Sequence, residues 1–257
     1  MSSNTNSEKT YNYLFIGQVL PNTTQITLKD HDYVFEDDKL GIKGRILVTI
    51  KSSHVIIQFV GDVPLEDIGT LRNIVYDNAR ILIEATGFYI GSILSLNITH
   101  AIWENGSHLA LFTSDAPAVK GFPESQGITI DDLFAVTYDL SDTYLQQSLS
   151  DMTRAMQSAI DTGFYCYRAL EALRHYFKSA YNLQKDGVSW EKLRAELNFS
   201  REAIDYIKQF ADAVRHGDAR SVPSVTSQER TKILQTTASV ICRYVLYAKN
   251  GYKQPID

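Results

Sequence analysis

The chain has 257 residues, 44% of them hydrophobic and 21% charged, with a net charge of −5. This composition excludes fibrous and intrinsically disordered classes and gives enough length for two modest cores. Residues 1–140 hold 9 Lys/Arg against 17 Asp/Glu and residues 141–257 hold 16 against 13, so any polyanion is expected to meet the back half rather than the front.

Residues 1–10, MSSNTNSEKT, lack a core former and read as a disordered polar tail. Tyr11, Tyr13 and Phe15 then alternate at the strand period, with shorter extended pieces at Gln25–Leu28 and Tyr33–Phe35. Two β-branched runs, Arg45–Ile50 and His54–Val60, flank Lys51-Ser52-Ser53 and predict a hairpin. Asp62 is the expected cap of a long helix striped by Ile68, Leu71, Val75, Ala79 and Leu82 and closed by Gly87. Ile93, Leu94, Leu96 and Ile98 lead through Trp103 to an Asn105-Gly106 turn and a returning strand, His108–Phe112. The expected front domain, 11–127, is therefore a mostly antiparallel sheet covered by one long helix, an α+β layer.

Ser114–Gly127 gathers Pro117, Gly121, Pro123 and Gly127 and is the expected linker, with a short bridging helix after it from Asp131 to Tyr138. From Ser141 the period becomes helical, so 128–257 is expected to be an all-α antiparallel bundle. Leu145, Leu149, Met152 and Met156 make one stripe, with a break at Gly163. Cys166, Leu170, Leu173 and Phe177 make the next, opposite a polar face of Arg168, Glu171 and His175. Ser189 reads as the cap of a short helix to Leu197. Ser200–Arg220 reads as a single amphipathic helix with Ile204, Ile207, Ala211 and Val214 inward, Asp205, Asp212 and His216 outward, and Arg215-His216 delivered to its end before Gly217. Ser221–Ser224 is a loop, and Thr226 and Glu229 have the spacing of a capping box for the last helix.

YRALEALRH, a Trp-containing short helix and then FADAVRHG at a helix end together resemble the HEPN superfamily of small helical bundles, over roughly residues 145–250. The ribonuclease motif of that family has an Arg, about four to six further residues, and then a His at the end of the third helix. His216-Gly217 fits the His end, whereas Gln209, Phe210 and Ala211 occupy the places for the Arg. The resemblance implies metal-independent RNA cleavage or RNA binding in RNA-related or phage-defence biology, with His216 moving a proton and Arg215 or Arg168 holding phosphate. Glu171, Arg174, His175 and Asp212 are the supporting polar residues, and a homodimer through the helical domain is implied as well. The alternative is a noncatalytic dimerising protein whose front domain binds a protein or a small ligand. A second alternative for Arg215 and His216 themselves is a helix C-terminal cap, in which positive side chains meet free carbonyls.

Cys166 and Cys242 sit in apolar helical patterns and read as buried hydrophobes, and His31, His54, His100 and His108 are scattered over strands and turns. No cofactor, metal or DNA-binding motif is found, and no long apolar run or secretory pattern precedes the fold, so a cytoplasmic protein is expected.

Overall fold

The computed structural model describes residues 10–62, 64–104, 106–112, 116–217 and 224–253. The polar tail up to residue 9, Asn105 of the expected turn, Ser114 and Asp115 of the expected linker, and residues 218–223 at the end of the expected third helix and in the loop after it lie outside them. The chain divides into two compact units, Met1–Asp115 and Ala116–Asp257, and the division falls inside the expected linker. Ala118, Val119 and Phe122 of that stretch pack on the helical core, and Phe122–Ser125 forms a short helix, α2.

The first unit is α+β. Six strands, β1 (Tyr11–Leu20), β2 (His31–Asp37), β3 (Ile42–Lys51), β4 (His54–Gly61), β5 (Ser95–Trp103) and β6 (His108–Leu111), pair antiparallel in the order β2-β3-β4-β1-β5-β6. Alternation does what the period requires: Tyr13, Phe15 and Val19 of β1 and Val55, Ile57 and Phe59 of β4 are buried on the same face. The β3–β4 hairpin closes through Ser52 and Ser53 at φ 47° and 64°, the doubly positive turn that matches strand twist. Gln25–Leu28 is not a strand. It instead bonds irregularly to the hairpin, Leu28 N–H to the Ile50 carbonyl and Ser53 N–H to the Ile26 carbonyl.

Helix α1 (Ile68–Ile90) packs on β5 and β4 through Leu71, Val75, Ala79 and Ile83. Its limits differ from those expected. Asp67, not Asp62, accepts from the Thr70 N–H, and just before it the Leu65 N–H is held by the Tyr13 hydroxyl. The end is Gly91 at φ 68°, not Gly87; Gly87 lies inside the helix, where the Ser92 carbonyl oxygen comes so close that a Cβ would stand 2.7 Å from it.

The second unit is helical: α3 (Ile130–Phe134) with a π-helical turn Ala135–Asp139, α4 (Thr143–Gln157), α5 (Thr162–Ala180), α6 (Asp186–Glu196), α7 (Arg201–Lys208), α8 (Asp212–Arg215) and α9 (Ser227–Lys249). Thr226 and Glu229 form the expected capping box of α9. Helix α5 is the hub, packing against α4, α6, α7, α8 and α9 with Cys166, Leu170, Leu173 and Phe177 buried. The asymmetry is physical, since α5 carries apolar side chains on most of its circumference and can be covered from several sides. Asp142, the cap of α4, is buried and accepts from Tyr244 Oη at 2.6 Å and Tyr252 Oη at 3.0 Å, which ties the C-terminal end of α9 and the residues just after it to the start of α4. No helix among the described residues is long and apolar enough to cross a membrane.

Candidate functional site

The expected single helix over Ser200–Arg220 is two helices. Ile207 and Lys208 accept from Phe210 and Ala211 N–H groups, a tight turn that ends α7 and restarts the chain as α8. The cause lies on α5: at Gly163 a Cβ would fall 2.4 Å from Phe210 Cβ and 2.7 Å from its carbonyl oxygen, so the Phe210 backbone rests directly on the glycine. Gln209, Phe210 and Ala211 thus serve the turn, with Phe210 and Ala211 buried. Ser200 caps α7 as expected, accepting from Ala203 N–H.

This turn lays α8 against α5. Arg215 Nη2 lies 3.4 Å from Glu171 Oε1, and its guanidinium stands 5.9 Å from the centre of the Tyr167 ring. Burial, with Glu171 next, pushes the Tyr167 phenol above its ordinary pKa. His216 caps α8 through its N–H to the Asp212 carbonyl, and its exposed ring makes no side-chain hydrogen bond or ion pair among the described residues. Asp212 sits in the first turn of α8, where a carboxylate favours the free N–H groups, and faces Lys208 Nζ at 3.8 Å.

Of the seven residues expected at the site, Glu171 and Arg215 meet each other. Arg168 turns instead toward the start of α5, with Nη2 3.6 Å from Asp151 Oδ1 of α4. Arg174 belongs elsewhere. Its side chain is 4% exposed, its Nη1 donates to Ser189 Oγ at 3.0 Å and pairs with Asp186 Oδ1 at 2.8 Å, and it lies over the Trp190 ring, so it fastens α6 to α5. The signal was present in the sequence, because Arg174 stands four residues after Leu170 on the buried stripe. Ser189 is accordingly inside α6, which begins after Lys185, rather than at its cap. Arg174 also donates to His175 Nε2 at 3.1 Å. Partial desolvation and the neighbouring Arg174 and Lys178 charges hold the His175 imidazole below its ordinary pKa, and therefore neutral at pH 7.

Residues absent from the sequence-based set stand beside Arg168. Arg154 of α4 shares Asp151 with it, and the Phe164 and Tyr165 rings lie beneath the two guanidinium groups. Arg154 and Asp151 have helical spacing, but both fall next to the Met152 stripe and read as ordinary flanks of a core helix. Among the described residues no group of three or more His, Cys, Asp or Glu side chains is arranged to hold a metal ion. Cys166 and Cys242 are free and buried, and burial pushes their thiols up to about 12 and about 11.

An antiparallel sheet with one covering helix, followed by a helical unit with a cationic and aromatic face on its hub helix, defines a two-unit α+β protein. Residues 13–112 match the model of the domain of unknown function DUF8168 N-terminal domain, and residues 130–249 match that of the DUF8168 C-terminal domain. The two matches fall one in each compact unit. No curated protein and no solved structure matches the chain.

Proposed function

We propose that the helical unit is a HEPN-like module that binds RNA and cleaves it without a metal, at a site made by Glu171, Arg215 and His216. The observation that carries this reading is the Glu171–Arg215 contact at 3.4 Å, which puts the end of α8 on the polar face of α5. The motif resemblance pairs the same two elements. Arg215 takes the phosphate-holding role that Gln209, Phe210 and Ala211 cannot, since these build the turn. A guanidinium offers phosphate a planar set of donors, and Glu171 orients it.

His216, exposed beside it, is of the residue type that exchanges protons near neutral pH. In the reaction the ribose 2′-hydroxyl gives its proton to a base and its oxygen bonds to the adjacent phosphorus. The P–O5′ bond breaks and O5′ takes a proton, leaving a 2′,3′-cyclic phosphate and a 5′-hydroxyl. His216 serves one of the two proton transfers. The requirement for a 2′-hydroxyl restricts the chemistry to RNA. A homodimer joined through the helical unit, acting in RNA-related or defence biology, follows from the same resemblance, and a cytoplasmic location from the sequence pattern.

One observation favours the noncatalytic alternative: Arg215 is already paired with Glu171 and stacked near Tyr167, as a staple of α8 on α5 would be. Incubating the full chain with total cellular RNA in EDTA separates the two. Cleavage that disappears in folded His216→Ala and Arg215→Ala variants supports the ribonuclease; intact RNA in every lane supports the staple.

A further inference from the structure

Asp151 is a carboxylate on α4 whose side chain is 1% exposed, and two arginines share it: Arg154 Nη1 and Arg168 Nη2 each lie 3.6 Å from its Oδ1. Those distances are beyond hydrogen-bond reach, and among the described residues this buried oxygen accepts no hydrogen bond, while Oδ2 accepts only from Gln147 Nε2, at 2.9 Å. Two consequences follow. One carboxylate faces two guanidinium groups, so among the described residues the ion pairs of this cluster leave one positive charge in excess. Neither guanidinium donates a hydrogen bond among the described residues, so their N–H forks remain open to an external acceptor.

Both arginines are accessible, at 50% and 39% exposure. They stand over aromatic rings, Arg154 5.9 Å from the Tyr165 centre and Arg168 5.6 Å and 6.0 Å from those of Phe164 and Tyr165. The rings themselves meet edge to face at 5.1 Å. The cluster offers open donors for phosphate and planar guanidinium and aromatic surfaces for bases, which is the pairing that single-stranded nucleic acid requires. A duplex hides its base faces and gains less from such a platform. Arg168 and Glu171 are one helical turn apart on α5, so the cluster continues the polar face that carries Glu171 and Arg215.

We infer that Arg154, Arg168, Phe164 and Tyr165 form a subsite for the single-stranded strand flanking the bond at Arg215 and His216. This rests on the RNA part of the reading above and names its substrate class. The test uses the full chain and a fluorescein-labelled single-stranded RNA of about a dozen nucleotides, within the span of single-strand sites. The probe is 2′-O-methylated throughout so that it cannot be cut, and anisotropy is measured over a range of salt. Arg154→Gln and Arg168→Gln, with melting profiles checked, are each expected to weaken binding about tenfold at low salt and to flatten the log–log salt slope by about 0.7. Tyr165→Leu weakens binding with the slope kept. Lys43→Gln, which removes a charge from the sheet unit, changes neither, and the matching duplex binds less tightly than the single strand.

Unaltered affinity in both arginine variants, or preference for the duplex, overturns the subsite whatever the cleavage assay gives. Binding with these dependences but no cleavage in EDTA removes the ribonuclease and leaves the subsite standing.

Discussion

The junction that positions Arg215 can be probed at one atom. In Gly163→Ala the added Cβ meets Phe210 at 2.4 Å (Cβ), 2.7 Å (carbonyl oxygen) and 2.8 Å (carbonyl carbon). All three are shorter than carbon tolerates, and two belong to backbone, so relief requires moving the turn between α7 and α8. Overpacking of this kind costs about 1–3 kcal/mol. Replacing a helical glycine by alanine returns about 0.5–1 kcal/mol, leaving a net loss of about 1 kcal/mol at the middle of the two ranges and at most about 2.5 kcal/mol. Gly187, at the corresponding second position of α6, has nothing within 4 Å of a Cβ, so Gly187→Ala should gain the helical term alone, about 0.5–1 kcal/mol. Urea titrations of both variants beside the unaltered chain measure the two signs. Equal shifts, or a Gly163→Ala protein as stable as the parent, would refute the claim that Phe210 backbone contact breaks the helix.

Other consequences are as direct. Tyr244→Phe deletes the 2.6 Å hydrogen bond to the buried Asp142 carboxylate and should lower unfolding free energy by about 1.5–3 kcal/mol; an unchanged urea midpoint contradicts it. Lys249 and the Thr129 cap hold Asp132, and Lys178 and Arg174 hold Asp186, each with a pKa lowered to about 2. Depressed carboxylate values stabilise the fold above the unfolded value near 3.8 and lose that contribution as pH falls toward 2, so acid unfolding should begin in that window. Asp186→Asn should flatten part of the pH dependence, as seen by circular dichroism. The Cys166 and Cys242 thiols should resist a thiol-reactive dye at pH 8 until the chain is unfolded, and rapid labelling of the native protein would show that the helical core is not closed over them.

Features set by neighbours in sequence were legible before the structure. The β3–β4 hairpin follows from two β-branched runs around a short polar turn, and the cap of α9 from Thr226 and Glu229. Features set by distant contacts were not. Ile204, Ile207, Ala211 and Val214 keep helical spacing across the turn at Gln209–Ala211, so the periodicity is blind to a break imposed by Gly163, far away in the chain. Asp62 and Gly87 carried the right residue types for the limits of α1, but the limits lie at Asp67 and Gly91, where the same residue types recur a few positions later, and nothing local marks the difference. The motif resemblance set Glu171 opposite the His216-Gly217 end of the third helix and left its partner there open; in the structure Glu171 meets the neighbouring Arg215. Arg174 was read as a supporting residue of the polar face because its type outweighed its position, and it is buried between α5 and α6 instead. Arg154 and Asp151 carried too ordinary a pattern to notice; their role depends on Arg168 reaching back from α5.

The most direct measurement of the central claim is the chemistry of the ends. A defined single-stranded RNA incubated with the full chain in EDTA should yield 2′,3′-cyclic phosphate and 5′-hydroxyl termini, with no such products from His216→Ala. Intact RNA, or 3′-hydroxyl and 5′-phosphate ends that persist in the His216→Ala protein, would contradict a 2′-hydroxyl reaction at the α5–α8 site.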